Sequence, residues 1–468
     1  MNKINAKTKK NTVSKDSGQK MDMLHGPLAK NLLLFSIPIA ASTILEQLFN
    51  SADVAVAGHF AGSDALAAVG ANSPVINLFI YILTGLALGA NVLIARLIGE
   101  GKQEQISKVV HTAITFSFFS GLFMMVFGIC VSKPLLSLMG TPSNILEQAQ
   151  LYLRIYCLAL PFLMFYNFGS AVLRSIGDTK RPLYILIVAG CLNIVLNLFF
   201  VIVIHMGVAG VATATVLSNV LCAFLMLRIL LHESYPFQLH FNKMRLDKRV
   251  LSTIVKIGAP AALQSSLFSF SNIIVQTAIN SLGSDAVAGS STGLNFEYFT
   301  YYIIAAFSQA IVTFTSQNYG AGNPARCKKV LRLGMLEGMG LTALMSTLIM
   351  LTLNYTVLFY TSDQNVIRYA VIRVSQVAAF EACTGLYELT GAAIRGLGRS
   401  LLPALLSIIG TVVFRFFWIQ TIFAASRSYS TLMWLYLASW ILTGSLMITA
   451  YFITRKSVYK HMNAPVNI

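Results

Sequence analysis

The chain has 468 residues, of which 56% are hydrophobic and only 11% charged, and its formal net charge is +17. A soluble domain carries about 25% charged residues, so this chain has too few to cover a surface facing water. Lipid is the alternative solvent, and an ordinary soluble enzyme or nucleic-acid-binding module is excluded unless the basic charge is concentrated on one face.

Residues 1–24 are polar and rich in Lys, without the apolar core and small-residue cleavage site of a signal peptide. They read as a cytoplasmic tail, disordered to about residue 22. From residue 25 onward the chain is apolar in about twelve segments, several of them free of charge over a full span: Thr112–Val131, Leu183–Ile204 and Thr431–Ile453. A helix needs about 20 such residues to cross the bilayer core. A helix also satisfies its own backbone in lipid, and the runs are continuous rather than alternating, which argues against a membrane β-barrel. The predicted fold is an all-α integral membrane protein of twelve transmembrane helices. The first six form an N-lobe over residues 25–231, followed by a linker over 232–250 carrying His232, Lys243, Arg245, Lys248 and Arg249. The last six form a C-lobe over 251–455, with a tail over 456–468.

In the first span Glu46, Asn50 and Asp53 are spaced i, i+4 and i+7, which puts them on one helical face. The fifth span carries Asn193 and Asn197, again one face, and the sixth adds Thr213, Thr215, Ser218 and Asn219. An ionisable group in lipid is costly and faces a bundle interior or an aqueous cavity. Carboxylate, amide and hydroxyl oxygens are a ligand set for a hard cation such as Na⁺, and a buried carboxylate can also carry a proton. Asn and Thr can equally serve as helix–helix glue. In the eighth span Glu297 is preceded by Asn295 and followed by Tyr298, Tyr301 and Tyr302, which suits a lipophilic cation through charge and cation–π contact. Glu337 of the ninth span stands near Arg332 as a pairing candidate. Glu381 and Glu388 lie seven apart on the tenth span. Arg415 is a lone cation in the eleventh, with Glu388 as its expected partner. Pro38 and Pro260 are expected kink sites early in the first and seventh helices.

Alternating sides from a cytoplasmic N-terminus puts Lys133 and Arg427 in outside loops and Arg154, Arg368, Arg373 and Arg415 at or within spans. The rest of the 34 Lys and Arg fall on the cytoplasmic side. The positive-inside rule accounts for this asymmetry, so both termini are expected in the cytoplasm and no nucleic-acid partner is expected.

The chain is also a duplication. Gly62–Ala67 reads GSDALA and Gly283–Ala288 reads GSDAVA; Gly99, Gly101 and Lys108 recur as Gly320, Gly322 and Lys329, and Arg174, Gly177 and Pro182 as Arg395, Gly398 and Pro403. Upstream, Pro38 pairs with Pro260 and Asn50 with Asn272, one residue further apart than the other pairs. Six spans separate equivalent points, so the halves are parallel repeats about a pseudo-two-fold axis along the membrane normal, with a cleft between them near the midplane.

No enzyme motif appears. Gly99-Glu-Gly101-Lys102 lacks the phosphate-loop spacing, and the seven His show no metal-binding spacing. The six Cys lie scattered, mostly in spans, as packing residues. No cofactor is expected beyond a coupling ion, Na⁺ or H⁺.

The sequence resembles the multidrug and toxic compound extrusion (MATE) transporters over about residues 25–455. The resemblance is carried by Gln47-Leu-Phe-Asn50-Ser-Ala-Asp53 with Gly58, by Ala87–Gly101 (ALGANVLIARLIGEG), by Thr313–Gly322 (TFTSQNYGAG) and by Arg395-Gly-Leu-Gly398. Within the family the chain looks like the bacterial branch related to DNA-damage-inducible and staphylococcal-type drug pumps. The resemblance implies two six-helix lobes and antiport of amphipathic organic cations against Na⁺ or H⁺, by a chain working as a monomer in the bacterial plasma membrane. It also implies a first-lobe cation site carried over to Asp53, Asn193 and Thr215. Position 197 departs: some members have Asp where this chain has Asn197. Glu46 shares a face with Asp53 and could supply the missing charge, an inference from spacing alone. Another branch uses carboxylates in the second lobe, for which Glu381 and Glu388 are the nearest candidates, so Glu297, Glu381, Glu388 and Tyr298 are taken as lining the substrate cavity. The competing reading is a flippase for lipid-linked oligosaccharides or another amphipathic lipid, which should line its cavity with Arg and Lys. The acidic excess among buried charges favours cationic substrates.

Overall fold

The computed structural model describes residues 21–462, and among the described residues every regular element is helical. Residues 1–20 of the expected tail and 463–468 of the C-terminal tail lie outside them. Among the described residues ten helices are long and apolar enough to cross a membrane. In chain order these and the two remaining spans are α1 (Leu28–Ala61), α2 (Ser63–Gly99), α3 (Gln103–Leu138), α4 (Ser143–Cys157 and Leu160–Ser175), α5 (Lys180–Val203), α6 (Val208–Leu231), α7 (Lys248–Asn280), α8 (Ser284–Gly320), α9 (Pro324–Phe359), α10, α11 (Leu401–Ser426) and α12 (Tyr429–Met462). α4 is bent by 45° at its break and reaches span length only as a pair. α10 is its counterpart by the repeat and is also interrupted, with Gln364–Gln376 joined to Thr384–Gly396 through a 3₁₀ run, Ala378–Cys383.

The duplication fixes these boundaries. α2 and α8 start at Ser63 and Ser284 and end at Gly99 and Gly320, the same spacing in each case; α3, α4, α5 and α6 start one repeat before α9, α10, α11 and α12. Gly62 and Gly283 open α2 and α8 at φ 93° and 101°, a region open to Gly and strained for other residues, so the repeated turn demands Gly at both places.

Each lobe has its own apolar core, but the first turns of α1 and α7 cross over. Leu28, Leu32, Phe35 and Ile39 pack into the C-lobe core, with the Phe35 ring edge-on to Phe314 at 5.5 Å, while Ile254 of α7 packs into the N-lobe core. Pro38 and Pro260 lie inside α1 and α7, near these crossing points. The start of α1, within the expected N-lobe over 25–231, therefore contributes to the core of the other lobe.

The lobes meet most closely on the face that carries the linker. A Cβ on Gly99 would run into the carbonyl oxygen of Gln317, and one on Gly320 into that of Arg96. Gln317 Nε2 donates to the Ser175 carbonyl at 2.6 Å, Thr313 Oγ1 to Asn91 Oδ1 at 3.0 Å, and the Arg96 guanidinium lies 4.9 Å from the Tyr319 ring centre. The end of the tail joins this seam. Asp22 Oδ1 accepts from the backbone of Leu24 and His25, making a turn that buries Met23, whose carbonyl accepts from Asn318 and Arg326. Residues 21 and 22, expected to be loose, are thus held by their own capping carboxylate.

Candidate functional site: two buried polar pockets

In the N-lobe, α1, α5 and α6 bring Asp53, Asn193, Asn197 and Thr215 into one pocket. Asp53 is buried; its Oδ1 accepts from Asn197 Nδ2 at 2.5 Å and its Oδ2 from Thr215 Oγ1 at 3.1 Å. Asn197 Nδ2 also donates to Asn193 Oδ1 at 3.2 Å, and Asn193 Nδ2 reaches Thr215 Oγ1 at 3.5 Å. Burial selects one stripe of α5: Asn193 and Asn197 are buried while Cys191, Val195 and Leu198 face outward. The helix then opens into a π segment, Phe199–Val203, directly after Asn197, and α1 does the same at Ala57–Ala61 after Asp53. Such segments are frequent at functional sites.

The pocket holds one carboxylate, and among the described residues no basic side chain is ion-paired to it. Asn197 Oδ1 is buried without a hydrogen-bond partner. An oxygen-rich group of single negative charge with one unused acceptor suits a hard monovalent cation, or a proton on the carboxylate. No group of three or more His, Cys, Asp or Glu comes together among the described residues.

Glu46 does not join this set. Seven residues along a helix is about 10 Å, and its side chain is exposed, within the electrostatic reach of Arg174 of α4. The shared face places it in line with Asp53 without placing it in contact.

The C-lobe acids are arranged differently from expectation. Glu297 is gripped by Arg373, Nε to Oε1 at 2.5 Å and Nη2 to Oε2 at 2.9 Å, with Arg373 Nη1 donating to Ser290 Oγ at 2.6 Å. It is a buried, forked ion pair between α8 and α10, not a free carboxylate beside a cavity. Tyr298 is half-buried and stacks on Tyr302 at 5.7 Å; Tyr302 in turn donates to Gln47 Oε1 of α1 at 3.2 Å. Glu388 does not pair with Arg415. It accepts from Arg395 Nη2 at 2.8 Å and from Ser308 Oγ at 2.9 Å, because Arg395 lies two turns further on the same helix. Glu337 makes no ion pair with Arg332; five residues along a helix puts the two on different faces, and Glu337 Oε2 has no partner. Glu381 is buried, with neither an ion pair nor a side-chain hydrogen bond to its carboxylate among the described residues. Arg373 and Arg395 were the functional neighbours that sequence reasoning missed. A basic residue inside a span needs an acidic partner; that marks Arg373 as needing one without naming it, while Arg395, expected on the cytoplasmic side, is in fact buried.

Comparison with known proteins agrees with the duplicated architecture. The MatE family model matches residues 38–199 and again 260–418, one match for each half. The chain belongs to the MatE family. As a member it is similar to the probable multidrug resistance protein YoeA of Bacillus subtilis, 28% identical over 81% of this chain and 83% of that one. It is likewise similar to the multidrug export protein MepA of Staphylococcus aureus, 23% identical over 81% and 85%, and to a FAD transporter of Shewanella oneidensis, 29% identical over 67% and 70%. In fold it matches a MATE structure in the bent conformation, with TM-score 0.85 over 94% of this chain and 98% of that one at 22% identity. It also matches an outward-facing multidrug resistance MATE transporter, again with TM-score 0.85, over 96% and 99% at 22% identity. The twelve-helix, two-lobed fold of a multi-pass membrane transporter is thereby established for this MatE chain.

Proposed function

We propose that this MatE protein is a secondary exporter that carries amphipathic organic cations out of the cell in exchange for Na⁺ or H⁺ taken up at Asp53. The carrying observation is the Asp53 carboxylate, buried between α1, α5 and α6 and met only by neutral groups. A fixed charge held in a span without a counter-ion is costly, and a mobile cation offsets that cost when it binds. Asn193, Asn197 and Thr215 would supply the neutral oxygens. Cation binding would turn the Asn197 amide, which now spends its NH₂ on Asp53 and leaves its oxygen idle. The π segments next to Asp53 and Asn197 are where α1 and α5 have slack to follow. The basic loops put the linker face in the cytoplasm, so the closed seam of Gly99 and Gly320 corresponds to a chain closed on the inside. Glu46, exposed on α1, and the Tyr298–Tyr302 stack offer a substrate cation charge and aromatic faces.

The names of the YoeA and MepA relatives support multidrug export. A lipid-pyrophosphate flippase is the weaker reading, since Arg373 and Arg395 are spent on Glu297 and Glu388 and Arg415 alone is too little charge for a pyrophosphate. Ethidium accumulation in a bacterial host lacking its own pumps tests the proposal. Cells expressing the wild type should accumulate less dye than cells expressing equal amounts of Asp53→Asn, and equal accumulation would contradict it.

A further inference from the structure

The C-lobe builds a counterpart of the Asp53 pocket from the equivalent helices, with its polarity reversed. α7, α11 and α12 repeat α1, α5 and α6. Where the N-lobe has Asp53, the C-lobe has the buried Val275; Thr215 corresponds to Tyr436 and Ser218 to Ser439. Asn193 corresponds to Phe414, but Phe414 is only half-buried and the next residue, Arg415, is the fully buried one. The cause is local. α11 carries a π segment at Ile408–Val413, whereas α5 is α-helical through the matching stretch. A π turn adds a residue to the helical repeat, so the inward-facing position moves one place along the chain, from the residue that matches Asn193 to Arg415.

Arg415 is held but not satisfied. Its Nε donates to Ser439 Oγ at 3.3 Å and its Nη1 to Asn272 Oδ1 at 3.1 Å, and its guanidinium carbon lies 5.2 and 4.7 Å from the ring centres of Phe268 and Tyr436. Nη2 is buried with no partner. No carboxylate is within ion-pair distance among the described residues: Glu297 is held by Arg373, Glu388 by Arg395, and Glu381 acts on Arg415 only through its field. A buried donor left idle on a full charge needs an explanation, and Arg415, unlike Arg395 with its idle Nε, has no carboxylate partner among the described residues to share its charge. Asn272 is itself exposed, so the guanidinium is hydrogen-bonded to a residue at the surface of the lobe.

We propose that this pocket binds a carboxylate of the transported molecule through Arg415 Nη2, which makes α11 and α12 the place where an anionic group of the substrate is recognised. The proposal rests on the export reading above. A matched pair of ligands separates the two: a rhodamine dye bearing a free carboxylate and the methyl ester of the same dye, titrated by fluorescence polarisation against the purified protein in lipid nanodiscs. Both dyes should bind the wild type. Arg415→Gln should weaken the acid by about tenfold or more, the value of a charge-assisted hydrogen bond, and change the ester by less than about twofold. Arg415→Lys, which keeps the charge but loses the fork, should fall between and carries the comparison if the Gln variant does not fold. Equal weakening of both dyes, or an unchanged acid affinity, would overturn the site. Binding of the ester but not the acid to the wild type would overturn it while leaving cation export intact. Binding of neither would overturn the export reading and the site with it.

Discussion

Thr215 donates to Asp53 across 162 residues of chain, from α6 to α1, at 3.1 Å. Its repeat partner Tyr436 instead lies under the guanidinium of Arg415 at 4.7 Å. One repeated position thus serves a carboxylate in one lobe and a cation in the other.

The Glu297–Arg373 pair is predicted to be structural. Removing one member of a buried pair strands the other and costs about 3–5 kcal/mol. Glu297→Gln should therefore lower the thermal unfolding temperature in detergent markedly. The double variant Glu297→Leu with Arg373→Met should recover most of the loss, since an apolar replacement of the whole pair is often neutral. Failure of the double variant to recover any stability would contradict this assignment.

The seam between Gly99 and Gly320 is predicted to be a gate. Gly99→Val places side-chain atoms where the Gln317 carbonyl now sits, so the lobes should part on the linker face. A thiol introduced by Ser175→Cys, next to Gln317 across the seam, should react with a polar maleimide several-fold faster in the Gly99→Val background. An unchanged labelling rate would show that the seam does not govern access.

Asp247 gives a pH signature. It lies in the linker just ahead of α7, where the Lys108 ammonium at 2.7 Å and the backbone N–H groups of Val250 and Arg249 pull its carboxyl from the ordinary 3.8 down to about 2. A group whose folded value is depressed adds stability above its unfolded value and loses it as pH falls towards the folded one. Asp247→Asn should thus unfold more readily than the wild type at neutral pH. The gap should close between about pH 4 and pH 2. A gap that stays constant over that range would rule the ion pair out as its cause.

Much of this was readable from the chain. The repeat spacing disclosed the two halves, because the same residues recur at Gly62–Ala67 and Gly283–Ala288. The period of a helix put Asn193 and Asn197 on one face, and the cost of charge in lipid marked Asp53. What the chain did not disclose was which acid meets which base. Glu388 and Arg415 seemed matched because both lie deep in neighbouring spans, yet Arg395, two turns along the same helix, reaches Glu388 first. The inward position of Arg415 depends on a π turn that no periodicity of 3.6 anticipates. Glu297 and Arg373 meet only because α8 and α10 pack side by side, a tertiary fact with no local trace.

Purified protein in proteoliposomes, loaded with ethidium and given either an imposed Na⁺ gradient or an imposed pH gradient, tests the central claim most directly. Export should be driven by one of the two gradients and lost in Asp53→Asn, with the driving gradient identifying the coupling ion. Export that persists undiminished in Asp53→Asn, or no export under either gradient for ethidium and a panel of other lipophilic cations, would contradict it.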